Sequence, residues 1–374
     1  MKIAMYGTPS RWKFTCDYIS RSITGLDVTH VVIPYNRDFS AQMPKNVKAV
    51  TVDESIQLYK EKIIDAIVLT NSTVDVDLPR SITRQHIRNY KASGVKNIFV
   101  LSNYPSDMSS VAFWKLHSEK SFLEYMETNL IDSCNLNCKA CSHFSSLFKN
   151  DSVYPVEDFR RDVRELSKKI DLVTLRLMGG EAFLLKNLDD YCNIAREYFP
   201  QTFIIVVSNG LLIPQVSDKI FDSIKRNKII VDVTQYQPTV KMKDQIEQVL
   251  KSKQVPYVFG REVEFFYAAV RNEPGLSDMN QSIRYCTNNI CYFLRRGRVY
   301  KCPFDALVYK YGEKFNKMIP GGTGSGADIY AENFLEQLQY VVDFPVQNCK
   351  LCPEQYVKIP WKAENKPKAI DWTR

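Results

Sequence analysis

Residues 127–147 read ETNLIDSCNLNCKACSHFSSL, and three of them are cysteines in the spacing C-x3-C-x2-C. The thiols belong to Cys134, Cys138 and Cys141. They follow residues 125–132, whose pattern predicts a strand. Thiolate is the ligand that iron–sulfur clusters and zinc prefer, so the stretch predicts a metal centre at the end of a strand.

The number of ligands separates two kinds of centre. A closed structural zinc site takes four protein ligands, and His143 is the candidate for the fourth. A 4Fe–4S cluster has four irons, so three cysteines leave one iron open to a ligand that does not come from the protein. The residues alone leave both centres open.

The motif resembles the cluster motif of the radical S-adenosylmethionine (radical SAM) superfamily. In that family the open iron takes the amino and carboxylate groups of the methionine moiety, and one electron from the cluster splits the sulfonium. The family usually has an aromatic residue just before the third cysteine. Here Ala140 stands at that position, and Phe144 and His143 are the nearby candidates for packing on adenine.

Length and composition indicate a soluble chain of several domains. The chain has 374 residues, 45% of them hydrophobic, which predicts two or three domains and a large core. It has no run of 18 apolar residues, and Met1 leads straight into an apolar strand, so neither a membrane span nor a signal peptide is expected. Ten cysteines without an export signal predict a reducing, cytoplasmic location and metal ligation.

The charge balance gives little support to a nucleic-acid-binding protein. The net charge is +8, from 50 basic and 42 acidic residues, which is mild for this length. A solvated surface explains such an excess without a nucleic-acid partner.

Residues 1–115 alternate apolar strands with helical segments, which predicts a parallel sheet with helices on both faces. The pattern resembles the Rossmann-like modules attached to sugar-modifying enzymes. A dinucleotide fingerprint needs further glycines, but after Gly7 the corresponding positions hold Pro9 and Trp12. NAD binding is therefore not expected, while a nucleotide-sugar site and a docking role stay open.

A second series of strands and helices occupies residues 121–275, after a connector at 104–120. It predicts a partial (β/α)6 barrel of the TIM type, in which ligands bind at the carboxyl ends of the strands. Strands are expected at 125–132, 172–177, 203–207, 228–233, 255–259 and 263–267, and helices at 155–170, 187–198, 214–226 and 241–251.

Two of these strand ends carry short motifs. Gly179-Gly180-Glu181 combines two residues without a Cβ with one carboxylate. Ser208-Asn209 follows the next strand. By their residues alone both are compatible with ordinary turns. The resemblance implies that the first motif holds the amino group of SAM and that the second contacts its ribose.

Residues 276–374 contain five more cysteines. Four of them follow the order C…G-x4-C…C-x2-C, and these are Cys286, Cys302, Cys349 and Cys352. Four thiolates can close a complete metal site, either a zinc ribbon or an iron–sulfur cluster. The order resembles the twitch domain, the shorter form of the SPASM domain, which implies one auxiliary 4Fe–4S cluster besides the one that binds SAM.

The resemblance implies an enzyme that cleaves SAM reductively and abstracts a hydrogen atom from a small substrate. A carbohydrate or nucleotide sugar is favoured as substrate, a dehydrogenase is favoured over an epimerase, and a flavodoxin or ferredoxin is the expected electron donor. Cys291 fits the cluster spacing less well and is predicted to be a spare ligand, a free thiol or the hydrogen donor of an epimerase. The alternatives are modification of a ribosomal peptide and, in another class, a non-catalytic metal-stabilised module that binds RNA or protein.

Overall fold

The computed structural model describes residues 1–7, 12, 15, 16, 18, 19, 23, 25–34, 46–71, 80–104, 107–149, 152–267, 275–286, 288–324 and 326–373. The chain forms two compact units. The first contains Met1–Glu124 and Lys169–Val173, and the second contains Tyr125–Lys168 and Thr174–Arg374. Within the described part, no helix is long and apolar enough to cross a membrane.

The first unit contains a six-stranded sheet. Its strands are β1 (Lys2–Tyr6), β2 (Asp27–Val32), β3 (Lys48–Val50), β4 (Ala66–Asn71), β5 (Ile98–Tyr104) and β6 (Asp107–Lys115). Their order is β3-β2-β1-β4-β5-β6, and all neighbours are parallel except β5 and β6. The helices Val52–Lys60 and Arg80–Ala92 connect the strands. The predicted parallel α/β sheet is thus confirmed, and its order is that of doubly wound folds.

Strand β6 was not predicted, because the sequence placed a connector at residues 104–120. The first half of the strand, DMSS, has one apolar residue, which hid the pattern. Gly7 has a packing role at the end of β1: a Cβ there would lie 2.0 Å from the Thr70 hydroxyl oxygen on β4. The helical spacing of residues 12–23 predicts a helix there. That segment and the rest of the loop after Gly7 fall largely outside the described residues, so the predictions about nucleotide binding stay predictions.

The remaining strands form an eight-stranded sheet and a separate strand pair, and most of their residues belong to the second unit. The strands are β7 (Ser121–Ile131), β8 (Ile170–Gly179), β9 (Phe203–Ser208), β10 (Ile230–Gln235), β11 (Tyr257–Glu262), β12 (Phe265–Tyr267), β13 (Phe293–Arg295), β14 (Arg298–Tyr300), β15 (Ala327–Asp328) and β16 (Lys358–Pro360). The large sheet has the order β11-β10-β9-β8-β7-β13-β14-β15, and β12 pairs with β16. Strands β8 to β11 are parallel, as the predicted partial barrel requires.

Amphipathic helices cover this sheet. In Val156–Lys169, the buried residues Phe159, Val163 and Leu166 repeat at helical spacing, so one face packs inward. The other α-helices are Leu188–Tyr198, Asp218–Arg226, Gln237–Lys241, Lys243–Ser252, Met279–Arg284, Pro303–Leu307, Tyr309–Phe315 and Phe334–Asp343. Short 3₁₀ helices occupy Ser145–Leu147, Ala182–Leu184, Ile213–Gln215, Gln347–Leu351 and Ala369–Asp371.

The cysteine-rich C-terminal region continues the barrel sheet. Its hairpin β13–β14 turns at Gly297, whose φ of 75° lies in the left-handed region that glycine tolerates. Phe293 on β13 pairs in parallel with Glu127 on β7. The strand expected at 263–267 does not join the barrel: as β12 it pairs antiparallel with β16, through Phe266 and Ile359.

Candidate metal and cofactor site

One cavity of about 190 Å³ opens at the ends of β7, β8, β9 and β10. It brings together the motif cysteines, both glycines of the Gly-Gly-Glu motif and the Ser-Asn pair, which were predicted separately. The predicted residues that line it are Cys134, Cys138, Cys141, Gly179, Gly180, Ser208 and Asn209. The strand ends therefore meet in one place, as a parallel sheet requires.

The cysteine loop is tightly curled. Asn137, Ala140 and Phe144 have φ values of 42°, 59° and 52°, a region that non-glycine residues rarely adopt. Backbone hydrogen bonds hold the curl: the Cys141 N–H donates to the Cys138 carbonyl over 3.4 Å, and the Phe144 N–H donates to the Cys141 carbonyl over 3.0 Å. Such strain persists where the surrounding structure fixes it, which is common at ligand sites.

The thiols lie in surroundings that disfavour their charged form. Burial, followed by the negative charge of Glu181, raises the pKa of Cys134 to about 12. Burial and the neighbouring Cys141 also raise the pKa of Cys138. A cationic centre in the cavity would reverse this effect, because metal binding deprotonates coordinating thiols. The donor set therefore fits a metal centre with soft ligands.

Gly179 and Gly180 let two backbone segments approach each other. A Cβ on Gly179 would lie 2.2 Å from the Ile131 carbonyl oxygen, and one on Gly180 would lie 2.0 Å from the Ser133 carbonyl oxygen. The Gly180 N–H also donates to the Ile131 carbonyl over 2.8 Å. The sequence predicts that the two glycines let a ligand approach the backbone closely. In the structure they also allow a tight contact with the start of the cysteine loop.

Glu181 lies behind the cavity wall and is 1% exposed. Its carboxylate accepts hydrogen bonds from the Ser208 hydroxyl at 2.8 Å, the Asn209 N–H at 2.8 Å and the Phe183 N–H at 3.0 Å. Burial raises its pKa, and these donors oppose the rise. The carboxylate thus fixes the end of β9; its direct contact with an ammonium group stays a prediction.

Asn209 ties the end of β9 to the cysteine loop. Its side-chain amide donates to the Asn135 side-chain oxygen over 2.7 Å and to the Cys134 sulfur over 3.7 Å. Its own Oδ1 accepts from the Leu211 N–H over 3.0 Å. With both ends of the amide held, Asn209 presents a fixed edge to the cavity.

Of the aromatic residues at the cavity, the sequence indicated His143 but not Tyr236 and Phe266. Phe144 is fully buried and packs against Trp372 with ring centroids 5.6 Å apart, so it belongs to the core. His143, Tyr236 and Phe266 line the cavity instead. Tyr236 could have been found from the sequence, because it follows β10 directly, as Asn209 follows β9.

A chain of hydrogen bonds sets the tautomer of His143. Asp132 accepts from Arg295 at 2.7 Å and from the Asn129 amide nitrogen at 3.1 Å. The Asn129 oxygen therefore faces His143 Nδ1, 3.0 Å away, which makes Nδ1 the donor and Nε2 an acceptor. Burial lowers the pKa of His143 to about 4, so the ring is neutral.

In the described part of the chain, no group of three or more His, Cys, Asp or Glu side chains is placed to hold a single metal ion.

The four C-terminal cysteines of the predicted auxiliary set share a second cavity. They are Cys286, Cys302, Cys349 and Cys352. Burial raises the pKa of Cys286 to about 11 and raises that of Cys302 further, with help from the neighbouring thiols. The hydroxyls of Ser277 and Ser282 both donate to the Cys352 carbonyl, at 2.8 and 3.1 Å.

Cys291 does not line that cavity. Its thiol hydrogen-bonds the Glu127 carboxylate, which also accepts from the Tyr125 hydroxyl at 2.5 Å. Arg176 donates to Tyr125 at 3.2 Å and to Asp232 at 2.6 Å. We call Tyr125, Glu127, Arg176 and Asp232 the barrel polar set. The structure thus separates Cys291 from the auxiliary set and places it beside the barrel polar set.

The family model described as "Radical SAM superfamily" matches residues 128–251. The GTP 3',8-cyclase of Sulfurovum sp. (strain NBC37-1) is 26% identical over 135 residues, which cover 34% of this chain and 41% of that protein. The GTP 3',8-cyclase of Mycolicibacterium smegmatis is 22% identical over 167 residues, which cover 43% and 46%. This chain spans less than half the length of either relative.

Solved structures show low overall similarity. BtrN in complex with AdoMet and 2-DOIA has a TM-score of 0.36 and 18% identity, over 62% of this chain and 92% of that one. Native anSMEcpe with bound AdoMet has a TM-score of 0.30 and 15% identity, over 36% of this chain and 43% of that one.

Proposed function

We propose that this chain, whose residues 128–251 match the radical SAM superfamily model, reductively cleaves SAM and abstracts a hydrogen atom from a small substrate. One observation carries the proposal: Cys134, Cys138 and Cys141 line the same cavity as the Gly-Gly and Ser-Asn motifs. When bound to these cysteines, a 4Fe–4S cluster supplies the electron and the radical chemistry. The residues of the chain bind and orient the reactants.

The cavity offers a separate surface to each part of SAM. We assign the methionine end to the backbone of Gly179 and Gly180 and the ribose to Ser208 and Asn209. Tyr236 and Phe266, which line the same cavity, supply aromatic faces for adenine. Glu181 holds the two residues assigned to the ribose, Ser208 and Asn209, through two of its hydrogen bonds.

We propose that the second cysteine set holds an auxiliary 4Fe–4S cluster in a twitch domain. Its support is that all four thiols line one cavity and that burial raises the pKa of Cys286, Cys302 and Cys352, which a bound cationic centre would reverse. The competing zinc ribbon predicts one zinc per chain, so metal analysis separates the two centres.

The barrel polar set supports a hydroxyl-bearing substrate such as a carbohydrate or nucleotide sugar. Arg176 precedes the cavity residue Met178 by two positions on β8, and Asp232 precedes Thr234 by two positions on β10. Side chains two apart on a strand share a face, so the polar set continues the cavity wall into the barrel. Carboxylates accept and a guanidinium donates, which together match both functions of a hydroxyl group.

We propose oxidation of a secondary alcohol as the reaction. Such a reaction removes one hydrogen atom, one electron and the hydroxyl proton from the substrate and leaves a carbonyl; an auxiliary cluster held by Cys286, Cys302, Cys349 and Cys352 would accept the electron, and solvent would take the proton. A flavodoxin or ferredoxin supplies the first electron. The four-cysteine set is the support, because it provides an acceptor for the second electron.

A specific observation favours epimerisation as the second candidate. The Cys291 thiol lies beside the barrel polar set and hydrogen-bonds Glu127. A thiol there would return a hydrogen atom to the substrate radical, and donation on the face opposite to abstraction would invert the carbon. One electron from the flavodoxin- or ferredoxin-class donor and one proton from solvent would then restore the Cys291 thiol.

The test is anaerobic incubation of the iron-loaded protein with SAM, dithionite and a panel of sugar nucleotides, followed by mass spectrometry. The expected result is 5′-deoxyadenosine and a product that has lost two hydrogens. The matched control replaces all three motif cysteines by alanine. Absence of SAM cleavage in a protein with both clusters loaded would overturn the proposal.

A further inference from the structure

A segment more than two hundred residues downstream returns to cover the cysteine loop. We call residues 358–373 the closing segment. Its backbone follows the loop: the Lys139 N–H donates to the Lys362 carbonyl over 2.9 Å, and the Glu364 N–H donates to the Asn137 carbonyl over 2.8 Å. Cys138 itself forms an antiparallel bridge with Ala363.

Two tryptophans of the closing segment donate to the loop, but to different atoms. The Trp361 indole N–H donates to the sulfur of Cys138 over 3.2 Å. The Trp372 indole N–H donates to the backbone carbonyl of Cys141 over 2.9 Å. Both side chains are buried, with 8% and 1% exposed. Trp361 therefore contacts the sulfur of a predicted cluster ligand, whereas Trp372 contacts only the backbone of the loop. Variants of the two residues can distinguish these two kinds of contact.

The ring of Trp361 also packs on the cavity wall. It stacks on Tyr236, with centroids 5.6 Å apart and planes 29° apart. The N–H of Trp361 is thus fixed by the strand pairing of β16, by the stacked ring and by burial. A fixed donor costs little conformational freedom when it makes its hydrogen bond.

A donor on a ligand sulfur has a predictable effect on a cluster. Hydrogen bonds to the sulfurs are among the features that set the reduction potential of iron–sulfur centres. The reduced centre carries one more negative charge, so an N–H group stabilises it more than it stabilises the oxidised centre. Such a donor therefore raises the reduction potential.

We propose that Trp361 is a positioning residue that raises the reduction potential of the cluster held by Cys134, Cys138 and Cys141. It acts through its hydrogen bond to the Cys138 sulfur, and the closing segment holds it there. The inference rests on the proposed function, since it requires that cluster. The electron that the cluster accepts comes from a donor of the flavodoxin or ferredoxin class.

The test is a redox titration of the full-length, iron-loaded protein. The titration is monitored through the electron paramagnetic resonance signal that changes on addition of SAM. Trp361→Phe should move the midpoint to a more negative potential. At a fixed potential, the ratio of reduced to oxidised cluster should fall about three- to tenfold, as expected for one lost hydrogen bond. Trp372→Phe is the matched control and should leave the midpoint unchanged, because its partner is a carbonyl.

A second variant covers the case in which Trp361→Phe loses its cluster. Site-specific replacement of Trp361 by benzothienylalanine keeps the ring shape and removes the N–H group, and it should give the same negative shift. An unchanged midpoint in this variant, with iron content equal to wild type, would overturn the inference while the proposed function stands. If wild-type protein shows no SAM-sensitive signal at all, the proposed function fails instead.

Discussion

The backbone N–H of Asn209 donates to the Glu181 carboxylate over 2.8 Å, so the residue after β9 is held by the residue two positions after β8. The same carboxylate accepts from the Ser208 hydroxyl, and it is 1% exposed. Hydrogen bonds to a charged acceptor are stronger than neutral ones. Glu181 therefore shapes the ligand cavity by fixing its neighbours.

Glu181→Ala should weaken SAM binding and leave both clusters in place. The predicted contact between this carboxylate and the ammonium group of SAM is a charge-assisted hydrogen bond, so its loss costs on the order of 1.5–3 kcal/mol, which is roughly a ten- to hundredfold rise in the dissociation constant. Equilibrium dialysis with labelled SAM measures it. The positioning role adds a second expectation, namely a lower melting temperature in the absence of SAM.

The matched control for this variant is Glu157→Ala. Glu157 lies on a helix surface with 79% of its side chain exposed, so neither affinity nor stability should change. Unchanged SAM affinity in Glu181→Ala would mean that the Gly-Gly-Glu motif is only a turn.

Replacing Cys134, Cys138 and Cys141 by alanine should remove about half of the iron and all SAM cleavage, because the proposal gives the chain two 4Fe–4S centres. Iron and sulfide analysis of anaerobically reconstituted protein measures the loss. Cys16→Ser, in the first unit, should keep the full iron content. Stoichiometric zinc in protein purified without oxygen would contradict the expectation.

Gly180→Ala should destabilise the second unit. The new Cβ would lie 2.0 Å from a backbone oxygen that cannot move aside as a side chain can, so a cost of about 1–3 kcal/mol is expected. Gly260→Ala is the control, since the nearest atoms to a Cβ there are 3.6 Å away. Urea unfolding midpoints compare the two variants. Equal midpoints would show that the contact between Gly180 and Ser133 relaxes freely.

Cys291→Ser in deuterated buffer separates the two candidate reactions. We expect wild type to form a ketone without uptake of deuterium and the variant to keep both iron and activity. Mass spectrometry of the product gives the answer. If wild type inverts a stereocentre and takes up one deuterium while the variant stalls, the enzyme is an epimerase.

The sequence predicted those parts of the site that depend on local order. Cysteine spacing and the positions of strand ends brought Cys134, Gly180 and Asn209 to one cavity, because parallel strands end on the same edge. Tyr236 also follows the end of a parallel strand, but it was not predicted as a site residue. The orientation of the Glu181 carboxylate was not predictable, because it is fixed by donors on Ser208 and Asn209 that come close to it only in the folded sheet.

Contacts between distant segments left no signal in a single sequence. The pairing of β12 with β16 joins residues that are about ninety positions apart, and neither strand has more than three residues. Such short strands carry too few alternating positions to show a pattern. The donor on Cys138 was missed for the same reason.

Trp361 follows Cys138 by 223 residues. At a synthesis rate of about 5–20 residues per second, the cysteine loop is made roughly ten to forty-five seconds before Trp361 exists. During that interval the thiols of the nascent chain have no closing segment above them and are open to iron delivery. The order of translation therefore leaves these thiols uncovered for that interval, and we expect iron delivery to be easier before the closing segment docks than after it.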